Sequence, residues 1–283
     1  MKNVNKAFRL LSVVLAVLMV LTAVPTAFAS DSAAAVQNAT TGATYDDLNT
    51  ALAAASNGDT IKLLADFDDS ASGTTVINAD KVLDLNGKKL TALQFLSFGD
   101  VIDTSANSVG GVVISNDITE AYTMLQPENT YLPLYDEANG CYRFFAYEAK
   151  CLGYQEDLYR DTVKFGFVVR ITGKAAYELL AADASDFKMQ INLSVVGNSS
   201  PDQKYTYTCD SALIQKYAAS IVKNYDAFAS GKNVSLTFSI SGILRMNKGT
   251  VISATPVMTS PATRVTKEGN TRQYVKTAEK VED

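Results

Sequence analysis

The strongest constraint on the fold is a series of short strand-like segments between residues 60 and 115. Each segment ends within a few residues at a turn containing aspartate, asparagine, glycine or serine, and these residues favour tight turns. The segments lie at residues 60–67, 74–79, 82–85, 88–91, 95–98, 101–103 and 112–115. This part of the chain is therefore predicted to consist of short β-strands joined by turns.

The turn at Asn86 and Gly87 allows two interpretations. Between alternating strands, an Asn-Gly dipeptide is typical of a two-residue hairpin turn. The same dipeptide also serves at the bends of a β-solenoid, because both residues tolerate left-handed backbone conformations. The local sequence leaves both interpretations open.

A helix is predicted immediately before these strands, over residues 45–56, with Thr44 as its N-cap. Helix and strands together resemble the opening of right-handed parallel β-helix (pectate-lyase-like) segments in secreted proteins of Gram-positive bacteria. The resemblance is carried by YDDLNTALAAASNGDTIKLLADF, TTVINADKVLDLNGKKLTA and SVGGVVISN. It covers residues 44–116 and implies a short, helix-capped β-solenoid. These motifs are specific for an architecture and imply little about activity. This sequence departs from the family by stopping after a few rungs.

After a linker at residues 117–129, the strands of residues 130–262 become longer and more aromatic. Such a pattern is typical of an antiparallel β-sandwich. The strands are predicted at residues 131–135, 141–147, 162–171, 188–196, 204–208, 233–240 and 250–258. The segments LPLYDEANGCYRFF and DTVKFGFVVRIT resemble a β-sandwich module of uncharacterised exported proteins from the same bacteria. The predicted fold class is therefore mainly β, a solenoid segment followed by a sandwich.

Two helices interrupt the predicted sandwich, at residues 174–182 and 211–229. The second is long and amphipathic, with Asp210 as its N-cap, and its apolar stripe is expected to pack against a sheet. The last residues, 263–283, are polar and charged, and they are predicted to form a mobile tail.

The first 29 residues have the pattern of a secretory signal peptide. Three basic residues precede an apolar run over residues 10–24, and Ala27 and Ala29 supply small side chains at positions −3 and −1 of a cleavage site. The apolar run is shorter than the ~20 residues that a membrane span needs. We therefore expect cleavage after Ala29, a secreted or extracellular protein without membrane insertion, and a flexible leader at residues 30–43.

Charge and composition narrow the possible functions. The full chain has a net charge of −5, and loss of the basic signal peptide makes the mature protein more acidic, which argues against nucleic acid and anionic lipid as partners. The chain contains no histidine, and this excludes Ser-His-Asp catalysis, Cys-His catalysis and histidine-ligated metal sites. No catalytic residue, cofactor or metal site is predicted.

Carboxylate chemistry is the remaining route to an enzyme, because six aspartates lie in or beside the solenoid turns. They are Asp66, Asp68, Asp69, Asp80, Asp100 and Asp103. Aspartate is favoured in turns, so these side chains are expected to be solvated turn residues. The segment DFDDSASG does not fit an EF-hand loop, because Ala71 stands at position six, where glycine is required, and Ile77 at position twelve, where glutamate is expected. A weak calcium site of another type remains open.

Tyrosine placement is the one positive indication of binding, because six of the 14 tyrosines lie within a stretch of 29 residues. Strand alternation places Arg143, Phe145 and Tyr147 on one face, and Tyr142 and Phe144 on the other. Arg143 is expected to face water, because burying an unpaired guanidinium is costly. Arg143, Phe145 and Tyr147 are thus the predicted platform for an extracellular glycan or a surface protein. The alternative is that these aromatic residues only form the sandwich core.

Three cysteines are too few for a disulfide scaffold. Cys141 and Cys151 could form a disulfide in an oxidising compartment, or they could remain two buried free thiols, which is the favoured interpretation. Cys209 is left over in either case.

These features together indicate an exported, non-catalytic extracellular or cell-surface protein, a binding or structural module for a glycan or protein ligand. The alternative is a polysaccharide-active enzyme, a lyase or glycosidase of the β-helix type. The missing histidine and the small number of rungs argue against that alternative.

The signal-peptide pattern predicts that the secreted protein begins at Ser30, because signal peptidase cuts after the small residue at position −1. N-terminal sequencing of protein from the culture supernatant measures this directly. Recovery of the chain in the membrane fraction with Met1 intact would contradict the prediction.

Overall fold

The computed structural model describes residues 34–115, 131–160, 162–197, 201–227, 234–241, 247–260 and 265–277. The predicted signal peptide and the predicted linker at residues 117–129 lie outside the described residues. Within the described residues, no helix is both long and apolar enough to cross a membrane.

Residues 34–115 form short strands and one helix, α1 (Leu48–Ala54). The strands are β1 (Val36–Asn38), β2 (Thr44–Tyr45), β3 (Thr60–Leu63), β4 (Phe67–Asp68), β5 (Thr74–Ile77), β6 (Val82–Asp84), β7 (Lys89–Ala92), β8 (Gln94–Ser97), β9 (Asp100–Ile102) and β10 (Gly111–Ile114). A single 3-10 turn, Ser70–Ser72, lies between β4 and β5. The prediction of short strands in this region is confirmed.

Most strands of this region pair in parallel with a strand that follows several turns later. One set is β3, β6 and β9, a second is β4, β7 and β10, and a third is β5 and β8. Alternate side chains point inward, and the buried ones, such as Ile61, Leu83, Leu90 and Phe95, form one hydrophobic core. We call this group the first core.

The two interpretations of Asn86 and Gly87 are now distinguished. Both residues have positive φ, 48° and 75°, which asparagine and glycine tolerate better than other residues. The flanking strands β6 and β7 do not pair with each other but lie in different sheets. The dipeptide is therefore a bend between sheets, not a hairpin turn.

Helix α1 is shorter than predicted, and its cap differs. Thr44 belongs to β2, and Asp47 is the N-cap, with its carboxylate accepting a hydrogen bond from the Thr50 amide at 2.7 Å. The buried Lys81 side chain donates to the Ala55 carbonyl at 2.6 Å, just beyond the last turn. The predicted flexible leader at residues 30–43 is wrong for Val36–Asn38, because this strand pairs with β2 and β3.

The described residues from 131 onward form antiparallel strands, most of them longer, and two α-helices, α2 (Lys174–Ala182) and α3 (Ser211–Asn224). The strands are β11 (Tyr131–Asp136), β12 (Cys141–Asp157), β13 (Thr162–Ile171), β14 (Lys188–Val196), β15 (Gln203–Thr208), β16 (Leu236–Ser241), β17 (Val251–Ser260), β18 (Val265–Glu268) and β19 (Arg272–Val275). A 3-10 turn, Tyr225–Ala227, follows α3. Helix α2 has the predicted bounds.

Two antiparallel sheets share a second core. One is the antiparallel part of a seven-stranded sheet and is formed by β11, β12, β13 and β16. The other contains β15, β14 and β17, with β18 and β19 both paired to β17. Inward side chains of both sheets and of the two helices, such as Phe167, Ile191, Tyr177 and Ile214, belong to one buried cluster. The fold is mainly β, with sandwich-like sheets in this half, as predicted.

The predicted polar tail is wrong for residues 265–277. Val265–Glu268 and Arg272–Val275 are strands, and Tyr274 is buried in the second core. Sequence reasoning missed them because each strand has only four residues, and the buried side chain of the first strand is a lysine, Lys267, rather than an apolar residue.

Strand β12 connects the two cores. It pairs with β10 through Val112 and Tyr142, so one sheet continues from the first core into the second. Tyr142 and Phe144 are buried in the first core, whereas Phe145 is buried in the second. At the same junction a side chain on Gly111 would overlap the sulfur of Cys141, so only glycine fits there.

Replacing Phe144 with alanine should destabilise the whole protein, because the ring packs edge-on against Phe95, 6.5 Å between ring centroids, in the first core. We expect a loss of about 3–5 kcal/mol in the free energy of unfolding, measured by chemical denaturation. The matched control is Tyr159→Ala, whose side chain is 67% exposed, and which should change stability by less than about 0.5 kcal/mol. Equal stability of the two variants would contradict the assignment of Phe144 to a core.

Candidate functional site

The structure does not expose the predicted platform of Arg143, Phe145 and Tyr147. Arg143 is only 9% exposed and Phe145 only 2% exposed. Tyr147 packs against the second core, where burial raises its pKa to about 12. The expectation that these residues face water is therefore wrong for Arg143 and Phe145, and Tyr147 is half-buried.

Arg143 can be buried because its guanidinium is paired. It forms an ion pair with Asp136 at 3.2 Å, its Nε donates to the Ser108 carbonyl at 2.9 Å, and it lies 5.5 Å from the Phe145 ring centre. The prediction assumed an unpaired guanidinium. The strand alternation itself was right, but each face of β12 is covered by a different part of the chain.

The cysteines are free thiols in the structure. Cys141 and Cys151 lie on the same strand, ten residues or roughly 33 Å apart, so they cannot reach each other. Burial raises the pKa of all three thiols above the ordinary value. Of the two interpretations left open by the sequence, the buried free thiols are the one observed.

The aspartates of the first half serve the turns. Asp103 accepts hydrogen bonds from the amides of Gly87, Ser105 and Gly110, and Asp68 accepts one from the Ser70 amide. Asp69 is buried, not solvated as predicted, and accepts from Asn49 and Thr75. Among the residues that the structure describes, no three acidic or cysteine side chains are grouped to hold a metal ion.

A cleft of about 620 Å³ lies where the two sheets of the second half end side by side. We call it the edge cleft, defined by Tyr207, Cys209, Leu213, Tyr217, Phe238 and Ile240. Its walls come from β15, β16 and α3. Among the described strands, β15 pairs only with β14 and β16 only with β13, so both are edge strands.

Helix α3 supplies one wall of the edge cleft. Asp210 is its N-cap, as predicted, and accepts a hydrogen bond from the Ala212 amide at 3.0 Å. Ile214 and Ala218 are buried in the second core, but Leu213 and Tyr217 are 37% and 39% exposed. The prediction that the whole apolar stripe packs on a sheet is therefore only partly right. Leu213 and Tyr217, four residues apart, share one helix face.

Strand β15 supplies the opposite wall. Tyr207 pairs with Ile191 and Tyr205 with Leu193, and directly opposed residues of an antiparallel pair share a face. Both tyrosines therefore lie on the core side of the sheet. Because β15 is an edge strand, each tyrosine remains 43% exposed.

The chemistry of the edge cleft suits binding better than catalysis. Its lining is aromatic and aliphatic, with a few polar groups including Thr208, Asp210 and Lys164, which is the usual composition of a small-molecule site. Burial raises the pKa of the Cys209 thiol in this lining, so the reactive thiolate is disfavoured. Asp210 is already engaged as the helix cap.

Sequence reasoning missed this site because it concentrated on the tyrosines before residue 160. The signal that could have found it is the run YTYT at residues 205–208, where alternation places both tyrosines on one face. Their position beside α3 depends on long-range pairing, which the local sequence does not reveal.

Comparison with known proteins yields no family. No protein-family model matches the chain, and no curated protein matches it significantly. Among solved structures, the chicken interferon gamma receptor alpha chain aligns at 6% identity and a TM-score of 0.26, covering 46% of this chain and 51% of that one. A Bordetella pertussis structure named as the ApaA protein aligns at 10% identity and 0.23, covering 47% and 94%. This chain thus spans about half the length of the receptor structure. Both scores are too low to support any inference about fold or function.

Thiol labelling should distinguish the three cysteines. We expect the native protein to be alkylated slowly at Cys209 alone, which is half-buried, and at all three cysteines after denaturation without reductant. Mass spectrometry of intact and digested protein counts and locates the labels. Protection of Cys141 and Cys151 in the denatured, unreduced protein would reveal a disulfide and contradict the structure.

Proposed function

We propose that the chain is an exported, non-catalytic extracellular or cell-surface module that binds a glycan in the edge cleft. The observation that carries the proposal is a cleft of about 620 Å³ lined by two half-exposed aromatic rings, Tyr207 and Tyr217, and by the half-exposed Leu213 side chain. Large exposed aromatic side chains in a concave site are characteristic of binding surfaces.

A glycan fits the lining better than a purely apolar ligand. Sugar rings present both C–H faces and hydroxyl groups, and tyrosine combines an apolar ring with a polar hydroxyl. Thr208 and Ser239 line the same cleft, and their hydroxyls can donate and accept hydrogen bonds. Because Asp210 and Lys164 carry opposite charges, the lining favours a neutral ligand over a charged one.

We further propose that residues 44–116 form a short β-helix capped by α1. The support is the parallel pairing of β3, β6 and β9 and the burial of Leu48, Ala51 and Leu52 of α1 against the first core. In this proposal the segment is a structural support, because it has too few rungs to form the long groove of a β-helix enzyme.

The competing function is a polysaccharide-active enzyme. The chain has no histidine, and glycoside hydrolysis would need two carboxyl groups facing each other across the substrate. Asp210 is the carboxylate that lines the edge cleft. An assay for bond cleavage on a panel of polysaccharides separates the two proposals, since a binding module leaves the chain length of the polymer unchanged.

Alanine at Tyr217 or Tyr207 should weaken glycan binding about fivefold or more, because truncation of a central aromatic contact costs more than about 1 kcal/mol. A glycan array on the mature protein identifies the ligand, and titration calorimetry then gives the dissociation constants. Tyr217→Phe should retain most of the affinity if ring contact dominates.

The control for this experiment is Tyr159→Ala, since Tyr159 is exposed but lies outside the edge cleft. It should bind as tightly as the native protein. Native-like affinity of both Tyr207→Ala and Tyr217→Ala, with the fold intact by circular dichroism, would rule out the edge cleft as the site.

A further inference from the structure

Strand β15, with the sequence QKYTYT, offers an open edge for pairing. All six of its residues are exposed, and its pairing in the part of the chain that the structure describes is with β14 alone. The outer side of such a strand presents a row of backbone amides and carbonyls to any strand that can align with it.

The usual protections of an edge strand are weak here. Proline, bulges and several charged residues commonly discourage edge pairing. Gln203–Thr208 contains no proline and a single charged residue, Lys204, and its register with β14 runs through six consecutive pairs without a shift.

We propose that β15 pairs antiparallel with β15 of a second copy, around a twofold axis that passes beside Thr206. In a symmetric antiparallel pair, the residue at the axis lies opposite the same residue of the second copy. The residue before it then lies opposite the residue after it in the second copy. With Thr206 at the axis, Tyr205 faces Tyr207 of the second copy, and Lys204 faces Thr208.

This register is the one that the side chains favour. It forms two Tyr–Tyr pairs and one Thr–Thr pair, which are stabilising cross-strand combinations, and it places no like charges opposite each other. An axis beside Lys204 would instead oppose two lysines. An axis beside Tyr205 would form one Tyr–Tyr pair and oppose Tyr207 to Gln203.

The pairing also covers apolar surface and adds to the edge cleft. Tyr205 and Tyr207 share the core side of their sheet, so the four tyrosines of two copies would form two neighbouring cross-strand pairs on one face. Tyr205 of the second copy would then lie beside Tyr207, which lines the edge cleft. The proposed dimer goes beyond the proposed function, because strand pairing does not depend on which ligand binds in the edge cleft.

The first test is the mass of the mature protein in solution, measured by analytical ultracentrifugation over a range of concentrations. We expect the native protein to approach twice the chain mass as concentration rises. Thr206→Lys should remain monomeric, because it places two positive charges opposite each other at the axis. Thr206→Glu should behave in the same way with two negative charges.

The decisive measurement is an equal mixture of Thr206→Lys and Thr206→Glu. Opposite charges then face each other at the axis, so the mixture should regain the doubled mass. The matched control is Asn192→Lys, which removes the hydrogen bond that Thr206 donates to Asn192 at 3.0 Å and adds the same charge one strand further in. The two added lysines would be roughly 14 Å apart, beyond the Debye length at physiological salt, so this control should dimerise like the native protein.

A native protein that stays monomeric at every concentration would overturn the proposal. Binding of an unrelated extended peptide to β15 would not rescue it, because the proposed partner is a second copy of the chain. So would a monomeric mixture of the two Thr206 variants, or a dimeric Thr206→Lys protein. Glycan binding is measured separately on monomeric Thr206→Lys and on Tyr217→Ala. Loss of dimerisation and loss of glycan binding are therefore distinguishable.

Discussion

Both hydrophobic cores depend on strand β12. Because successive side chains of a strand point to opposite faces, Tyr142 and Phe144 contribute to the first core and Phe145 to the second. A strand buried on both faces must read as nearly continuous apolar sequence, and CYRFFAY does so except at Arg143. The single charge in that run therefore requires its own explanation.

Arg143 joins the two halves where β12 passes between them. Its guanidinium pairs with Asp136 and donates to the Ser108 carbonyl, in the loop between β9 and β10. Ser108 has a φ of 47°, which is uncommon for a residue other than glycine and needs support from its surroundings. Removing the arginine would leave the Asp136 carboxylate buried without its ion pair, which is more costly than never having formed the pair. The residue predicted to recognise a ligand instead orders a turn.

The sequence was informative wherever local pattern decides structure. The mainly β fold class, the bounds of α2 and the Asp210 cap all follow from alternation, helical periodicity and capping preference. Apart from the Thr44 cap and the ends of α1, the failures have a common cause. Alternation assigned Arg143 and Phe145 to one face of a strand but could not say what covers that face, and composition could not show that Val265–Glu268 pairs with β17. The edge cleft was missed for the same reason, because β15 and β16 are brought together by contacts between distant residues.

The contact at Gly111 has a consequence for how this protein could change over time. The β10 backbone lies so close to Cys141 that no side chain larger than hydrogen fits between them. The two halves therefore meet at a fixed separation and cannot be treated as interchangeable modules. A different second half joined after β10 would need a strand that passes Gly111 as closely, and a different first half joined before β12 would need its own glycine at this place. Recombination at this boundary is therefore constrained by this contact, in addition to the burial of Tyr142 and Phe144 in the first core.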